Sequence, residues 1–223
     1  MGRPREHDEA TAIALLDRAE RTIEANGLAA LSVRAVAAGT GTTTRAVYSL
    51  FGSKDGLVVA LGVRAFRLLD AAVAALPVTD DPAADLVDAG LVFRRFARDH
   101  PALFTIGIQR ALPVPQLWDQ FRDAAVTALS TLCLRLERLD ERRGLGGRPT
   151  LEAAWQFHAL CEGLAAAELR DRGGCDDLEA RWRAALTALV HGFAVAPVAV
   201  TAVSPAPAPN SATEMDVAEP SVT

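Results

Sequence analysis

The chain has 223 residues, of which 50% are hydrophobic and 23% are charged, so it is long enough to bury a core. Its 44 Ala and 28 Leu residues make up about a third of the chain, whereas aromatic residues make up 5%. Because Ala and Leu favour helices, this composition predicts an all-α fold and excludes a sandwich, a barrel or a Rossmann sheet. The net charge of −5 argues against non-specific DNA binding, so any DNA contact must come from a local basic surface.

Three cysteines, Cys133, Cys161 and Cys175, lack the spacing of zinc ligands, and an unpatterned odd number is typical of a reducing cytosol. The charged N-terminus does not resemble a signal peptide, and no apolar run reaches the length of a membrane span. We therefore expect a cytoplasmic protein with no membrane partner and no cofactor. The last 27 residues, 197–223, contain five Pro and no aromatic residue, which predicts a disordered tail.

Helix caps, Gly and Pro divide the rest of the chain into about nine predicted helices. The first runs over residues 8–25, and Ser32, Thr43 and Ser53 are the expected N-caps of the next three. The fourth is long, ends before Pro77, and has an apolar stripe of Leu57, Leu61, Ala65, Leu68, Ala72 and Leu76. Five more are expected over residues 86–97, 101–112, 117–139, 150–171 and 176–195.

Residues 31–57 carry the pattern that indicates function, two short helices joined by a turn that contains Gly. This is the layout of a helix-turn-helix, whose second helix enters the major groove of DNA. The inward-facing positions are predicted to be Val33, Val36, Ala37, Ala46, Val47, Leu50 and Phe51. The outer face of the second helix then presents hydroxyls, a guanidinium and a phenol, from Thr43, Thr44, Arg45, Tyr48 and Ser49, which can bind phosphates or base edges.

The local charge supports DNA binding although the total charge does not. From Ala25 to Lys54 the sequence contains three bases, Arg34, Arg45 and Lys54, and no acid. A basic stretch of this kind is what a surface that faces phosphates requires. Arg3 and Arg5 lie on a predicted flexible arm, which either reaches the minor groove or is merely solvated.

Residues 12–61 resemble the DNA-binding domain of TetR-family transcriptional regulators. The resemblance rests on the following positions: Asn26-Gly27, Leu31-Ser32-Val33, Val36-Ala37, Gly41, Ala46-Val47-Tyr48, Phe51, Ser53-Lys54-Asp55 and Leu57. Two positions depart from the family pattern, since Thr42 replaces an apolar residue and Leu50 replaces a His or Tyr. Leu50 removes a phosphate contact, and we do not count it in the site.

The resemblance implies a division of roles on the DNA. Thr43, Thr44, Arg45 and Ser49 would face the major groove, with Arg45 reading a guanine. Tyr48, Lys54 and Ser32 would contact phosphates. The implied function is that of a sequence-specific repressor, built from a DNA-binding domain (1–56), a helical ligand-binding and dimerisation domain (57–196) and the tail (197–223).

The family usually dimerises through its last two helices, which implies a homodimer here. The expected apolar seam comprises Phe157, Leu160, Leu164, Leu186, Leu189 and Phe193. The alternative is that these side chains only close the core of the subunit.

The same resemblance implies a pocket for a small hydrophobic or aromatic ligand. Its candidate lining residues are Phe93, Phe96, Phe104, Ile108, Trp118, Phe121, Trp155 and His158. Aromatic residues at helical spacing also fill ordinary cores, and His158 is alternatively a hydrogen-bonded core histidine. Ligand binding would shift the long fourth helix and thereby alter operator affinity.

Two other functional classes remain open. An enzyme is disfavoured because the sequence lacks the usual hydrolase, P-loop and metalloprotease motifs, although His158 and Cys161 share a helix face. The other class is a helical interaction module without DNA binding, which would show no sequence-specific shift with duplex DNA.

Overall fold

The computed structural model describes residues 3–109, 118–170 and 177–196, and within these ranges it contains helices and no strand. The helices are α1 Arg3–Asn26, α2 Val33–Gly39, α3 Thr44–Phe51, α4 Lys54–Ala74, α5 Pro82–Asp99, α6 Pro101–Leu103, α7 Trp118–Arg143, α8 Thr150–Arg170 and α9 Leu178–Gly192. The prediction of an all-α fold with nine helices is therefore confirmed for this part of the chain. The predicted tail, residues 197–223, lies outside it.

The first three helices form a small bundle. α1 packs on α2 and α3, and the three bury Leu15, Ile23, Val36 and Val47 between them. The helix of α1 already includes Arg3, so the prediction of a flexible arm at Arg3 and Arg5 is wrong for the backbone. The side chains of residues 3–7 lie outside the described part of the structure.

Two of the three predicted N-caps form the expected hydrogen bond. The Thr43 hydroxyl accepts from the Ala46 N–H at 3.2 Å, and the Ser53 hydroxyl accepts from the Gly56 N–H at 2.9 Å. Ser32 occupies the N-cap position of α2, but its exposed side chain makes no capping hydrogen bond. The backbone therefore sets the start of α2, and the Ser32 hydroxyl remains available.

α4 connects the small bundle to the rest of the molecule, because it contacts α1 and α3 and also packs on α5, α6 and α7. Its buried face follows a spacing of four residues through Leu57, Leu61, Ala65 and Leu69. The predicted stripe is wrong beyond Ala65, since Leu68 and Ala72 are exposed. The face that meets α7 continues along the i, i+4 row, which passes through Leu69 and then the half-buried Val73.

The C-terminal end of α4 is held by an arginine of α7. Arg135 Nη2 donates to the carbonyls of Val73 and Leu76, at 2.8 and 3.0 Å. Val73 lies in the last turn of α4, and Leu76 lies just beyond the end of the helix. α4 is thus fixed at this end to α7.

A buried ion pair ties α5 to α8 and α9. Arg94 of α5 donates to Glu168 of α8 through Nε and Nη2, both at 2.9 Å, and the Trp182 indole of α9 donates to the same carboxylate at 2.8 Å. Burial pushes the pKa of Glu168 upward, but the hydrogen bonds from Arg94 and Trp182 outweigh it and lower the pKa. The fully hydrogen-bonded carboxylate therefore stays ionised and fixes the three helices relative to one another.

α6 differs from the single helix predicted over residues 101–112. Only three residues are α-helical, and the chain then widens into a π-helical turn, Phe104–Gln109. Gly107 allows this turn to approach α4 closely, because a Cβ there would lie 2.6 Å from the Cβ of Ala65. Residues 110–112 lie outside the described part.

A polar junction joins α1 to α4 and α5. The buried Glu20 of α1 lies 2.7 Å from Nδ1 of His100 and 3.6 Å from Nε of Arg64, and Asp17 lies 2.6 Å from Nη2 of the same arginine.

Among the described helices, none combines the length and the apolar character that crossing a membrane requires.

Candidate nucleic-acid interface and ligand cavity

α3 has one buried side and one polar, exposed side. Val47 is fully buried, and Leu50 and Phe51 pack partly against the core. The opposite side exposes Thr44, Arg45, Tyr48 and Ser49, which form two adjacent rows at a spacing of four residues. The structure thus brings these four predicted DNA contacts together on one face. Thr43, Ser32 and Lys54 are exposed as well, each directly before or at the start of a helix.

The turn between α2 and α3 is set by its backbone. Gly41 adopts a φ of +68°, a conformation in which a side chain would be strained. The next N–H, of Thr42, donates to the carbonyl of Ala37 at 3.0 Å and so closes the turn. This geometry presents the exposed side of α3 away from the core.

The exposed bases of this surface form no ion pair with an acid that the structure describes. Arg34, Arg45 and Lys54 are exposed, and none of them forms an ion pair with a described side chain. In α1, Asp17 and Glu20 are engaged by Arg64, and Glu20 is also engaged by His100. The two acids are therefore directed towards α4 and the end of α5.

A cavity of about 690 Å³ lies between α4, α5, α7 and α8. Its wall is almost entirely apolar and includes three small residues, Ala89, Ala125 and Ala128. Two residues of the wall on α8, Leu151 and Trp155, are 61% and 68% exposed, so the cavity reaches the surface on that side. Its size and composition are those of a site for a small organic molecule.

The predicted ligand-binding residues divide between the cavity and the core. Those in the cavity wall are Phe93, Trp155 and His158. Three candidates lie in the core: Phe96 packs beside His100, Phe104 is fully buried, and Ile108 packs against the core. Phe121 does not line the cavity but contacts the lining residue Phe66 edge-on, with the ring centres 5.3 Å apart. The side chain of Trp118 lies outside the described residues.

The predicted dimer seam is also divided. Phe157, Leu186 and Phe193 are buried within the subunit, and Leu160, Leu164 and Leu189 pack partly against the same core. The alternative that these residues close the subunit's own core therefore holds for the first three.

Two titratable groups of the cavity wall on α8, His158 and Cys161, are kept neutral by burial. Burial lowers the pKa of His158, against a smaller upward effect of Glu162, so its imidazole is neutral near pH 7. Burial likewise raises the pKa of the Cys161 thiol far above its ordinary range. Within the described residues, no group of three His, Cys, Asp or Glu side chains has a geometry suited to a metal ion.

The sequence analysis missed the contribution of α4 to the cavity. Phe66, Leu69, Asp70 and Val73 line it, because beyond Ala65 the inward side of α4 runs through Leu69 and Val73 and departs from the predicted stripe. The candidates predicted from the sequence are mostly large aromatic side chains, whereas a cavity forms where small side chains face each other. The alanines at 125 and 128 of α7, one helical turn apart, were the available signal.

The comparisons with known proteins agree with this geometry. The sequence model of the family "Bacterial regulatory proteins, tetR family" matches residues 15–61, which span α1 to the start of α4. No curated protein matches the chain in sequence.

Solved structures share the fold at low sequence identity. A protein of unknown function from Rhodococcus sp. RHA1 is 23% identical with a TM-score of 0.70, over 82% of this chain and 95% of that one. The TetR-family transcriptional regulator PfmR from Thermus thermophilus is 21% identical with a TM-score of 0.61, over 80% and 98%. The fatty acid degradation regulator FadR from Bacillus halodurans is 16% identical with a TM-score of 0.66, over 80% and 94%.

The family match covers the helix-turn-helix itself, where the exposed side of α3 and its unpaired bases lie. Residues 15–61 therefore form a DNA-binding domain of the kind found in the tetR family of bacterial regulatory proteins, and the chain is a DNA-binding transcriptional regulator.

Proposed function

We propose that the protein is a ligand-responsive repressor that acts in the cytoplasm as a homodimer on an operator with two half-sites. Residues 1–56 would read the DNA, residues 57–196 would bind the ligand and form the dimer, and residues 197–223 would form the tail. The single observation that carries the proposal is the polar side of α3, exposed next to bases that pair with no acid in the described part of the chain.

On the DNA, Thr43, Thr44, Arg45 and Ser49 would approach the bases of the major groove. Arg45 has a free guanidinium that can donate two hydrogen bonds to a guanine, a pairing that contributes about 1–3 kcal/mol of discrimination. Tyr48, Lys54 and Ser32 would donate to phosphates. The absence of a capping hydrogen bond at Ser32 supports this role, since its hydroxyl is free to donate.

The dimer would form through α8 and α9, which pack against each other. Each exposes a row of residues at a spacing of four, with little bulk apart from Leu151 and Trp155. The rows are Leu151, Trp155, Ala159, Gly163 and Ala167 on α8, and Ala180, Ala184, Ala188 and Gly192 on α9. Small side chains allow two helices to approach closely, and a dimer is needed to read two half-sites.

Control by a ligand would act through α4. Phe66, Leu69, Asp70 and Val73 of this helix line the cavity, and Lys54 is its first residue. A ligand that prefers one position of α4 would therefore change the separation of the two α3 helices in the dimer. The effect on operator affinity cannot exceed the difference in ligand affinity between the two positions.

We propose a binding role rather than a catalytic one for the cavity, without a cofactor. Cys161 is fully buried and its raised pKa keeps the thiol protonated, which is unsuited to a nucleophile beside His158.

A selection of binding sites from random duplex DNA tests the proposal. The wild-type protein should enrich a two-fold symmetric sequence, and Arg45→Ala should lose the preference at one guanine position in each half-site. Arg122→Ala is the control, because it removes an exposed arginine of α7 that pairs only with Asp119 among the described side chains. Enrichment of no sequence by the wild type would refute the DNA-binding role, and an unchanged motif in Arg45→Ala would refute its base contact.

A further inference from the structure

The charged groups in the described wall of the cavity are acidic. Asp70 of α4 and Glu152 of α8 are the two carboxylates in its described wall, and no Lys or Arg belongs to that wall. The wall therefore has no described cation with which a bound carboxylate, sulfonate or phosphate could pair.

Of the two carboxylates, Asp70 is the one that lies between apolar side chains. It is half-buried and lies on α4 with Phe66, Leu69 and Val73 around it in the wall. Its Oδ1 accepts a hydrogen bond from the Thr131 hydroxyl of α7 at 2.6 Å, and it forms no ion pair with a described side chain. A hydroxyl does not neutralise a carboxylate, so among ligands that displace water from Asp70 those that supply positive charge are favoured.

Glu152 is placed differently. It is exposed and accepts a hydrogen bond from Gln156 on the same helix at 3.2 Å, so solvent screens its charge. His158 does not supply a positive charge either, because its imidazole is neutral near pH 7.

The remaining wall is suited to a cation that carries aromatic or other hydrophobic groups. The rings of Phe66, Phe93, Trp155 and Phe157 line the same space. The faces of such rings attract a cation that comes within about 6 Å of the ring centre. The carboxylate and the rings thus select the same ligand charge.

We propose that the cavity binds a hydrophobic organic cation, with Asp70 as the group that pairs with its charge. The inference rests on the proposed ligand-binding function of the cavity and specifies the class of ligand. It also places the recognition of charge on α4, since a cation at Asp70 competes with the hydrogen bond that joins Asp70 to Thr131 of α7.

Two probes of the same shape and opposite charge test the proposal. Tetraphenylphosphonium and tetraphenylborate each carry four phenyl rings, and each is titrated against the full-length protein loaded with the neutral dye Nile red. We expect tetraphenylphosphonium to displace the dye at a concentration at least about tenfold lower than tetraphenylborate. Equal or better displacement by tetraphenylborate would overturn the proposal.

Two isosteric variants locate the charge. Asp70→Asn should abolish most of the preference for the cation, whereas Glu152→Gln, which removes one exposed carboxylate of the same wall, should keep it. A preference that survives in Asp70→Asn would overturn the assignment to Asp70. Far-ultraviolet circular dichroism and binding of the wild-type operator without a probe check that both variants are folded.

The dye alone separates this inference from the proposed function. If Nile red binds the wild type and Ala128→Trp blocks it, the cavity takes apolar ligands, and the two ionic probes then decide the charge. If Nile red does not bind the wild type, or if Ala128→Trp leaves binding unchanged, the ligand-binding role of the cavity is refuted together with the inference.

Discussion

Lys54 is the only lysine of the chain, and it is exposed at the start of α4, shortly after α3 ends at Phe51. A lysine at such a position contacts DNA as a point charge and carries no information about base identity. Its role therefore differs from that proposed for Arg45, although both side chains are exposed bases.

We expect Lys54→Ala to weaken binding to all duplex sequences alike, and to reduce the slope of log K against log salt by about one. Fluorescence anisotropy at several salt concentrations, on operator and on random DNA, measures both effects. Arg122→Ala is again the control. A change in sequence preference with an unchanged salt slope would contradict the assignment of Lys54 to a phosphate.

His158 makes stability depend on pH. Because burial lowers its pKa below the ordinary value of 6.5, the unfolded chain binds a proton more readily than the folded chain in the interval between the two values. The free energy of unfolding should therefore rise with pH through this interval, and His158 should destabilise the fold as the pH falls below about 6.5.

Urea unfolding at pH 7.5 and 5.5 tests this. The loss of unfolding free energy between the two pH values should be smaller in His158→Gln than in the wild type, since the amide does not titrate. The other histidines are present in both proteins, and the comparison cancels them. Equal losses in the two proteins would show that His158 is not the group responsible.

At the scale of helices, the junction between α3 and α4 depends on Gly56. A Cβ at this position would lie 1.8 Å from the carbonyl oxygen of Phe51, which is part of the backbone and cannot move aside as a side chain does. The first turn of α4 can therefore pack against the end of α3 only if residue 56 is glycine. This contact fixes the orientation of the DNA-facing helix.

We expect Gly56→Ala to destabilise the protein by about 3 kcal/mol, at the upper end of the range for overpacked sites, and to weaken operator binding. Ser49→Ala, at an exposed position of α3, should leave the melting temperature nearly unchanged. Differential scanning calorimetry measures the first effect and fluorescence anisotropy the second. A Gly56→Ala variant as stable as the wild type would contradict the proposed close contact.

The helices themselves were largely predictable, because local signals set their ends. Thr43 and Ser53 form the capping bonds that the sequence predicts, and the structure brings Thr44, Arg45, Tyr48 and Ser49 to one side of α3. The π-helical turn was not predictable, since it follows from the close approach of Gly107 to α4. A contact between distant parts of the chain leaves no periodic pattern in a local segment.

The cavity was only partly predictable for the same reason. Phe93, Trp155 and His158 were candidates because they are large or polar, but Asp70 and the alanines of α7 become wall residues only through the packing of α4 on α7. The two neighbouring leucines of α4 illustrate this, because Leu69 is buried and Leu68 is exposed. The sequence alone does not distinguish them, since both are large and apolar.

At the scale of the whole molecule, the proposed recognition of two half-sites requires a dimer. α8 and α9, which expose the rows of small residues, lie outside the helix-turn-helix segment of the chain. One α3 covers only a few base pairs, so two linked copies gain affinity from the second half-site.

We expect Ala188→Arg to disrupt the dimer, because a long charged side chain prevents the close approach of two copies of α9. Sedimentation velocity should then give the mass of one chain, and operator affinity should fall by about 100-fold. Ala72→Arg, at an exposed position of α4, is the matched control and should leave both quantities unchanged. A dimeric Ala188→Arg variant would exclude this surface as the interface.

The continuity of α4 has a mechanical consequence. Sixteen residues separate Lys54 from Asp70 without a break in the helix, which corresponds to about 24 Å at 1.5 Å per residue. A rigid rod of that length converts a tilt of about 5° at one end into a displacement of about 2 Å at the other. In the proposed control by a ligand, a tilt of this size at Asp70 would therefore move Lys54 beyond hydrogen-bonding reach of a phosphate.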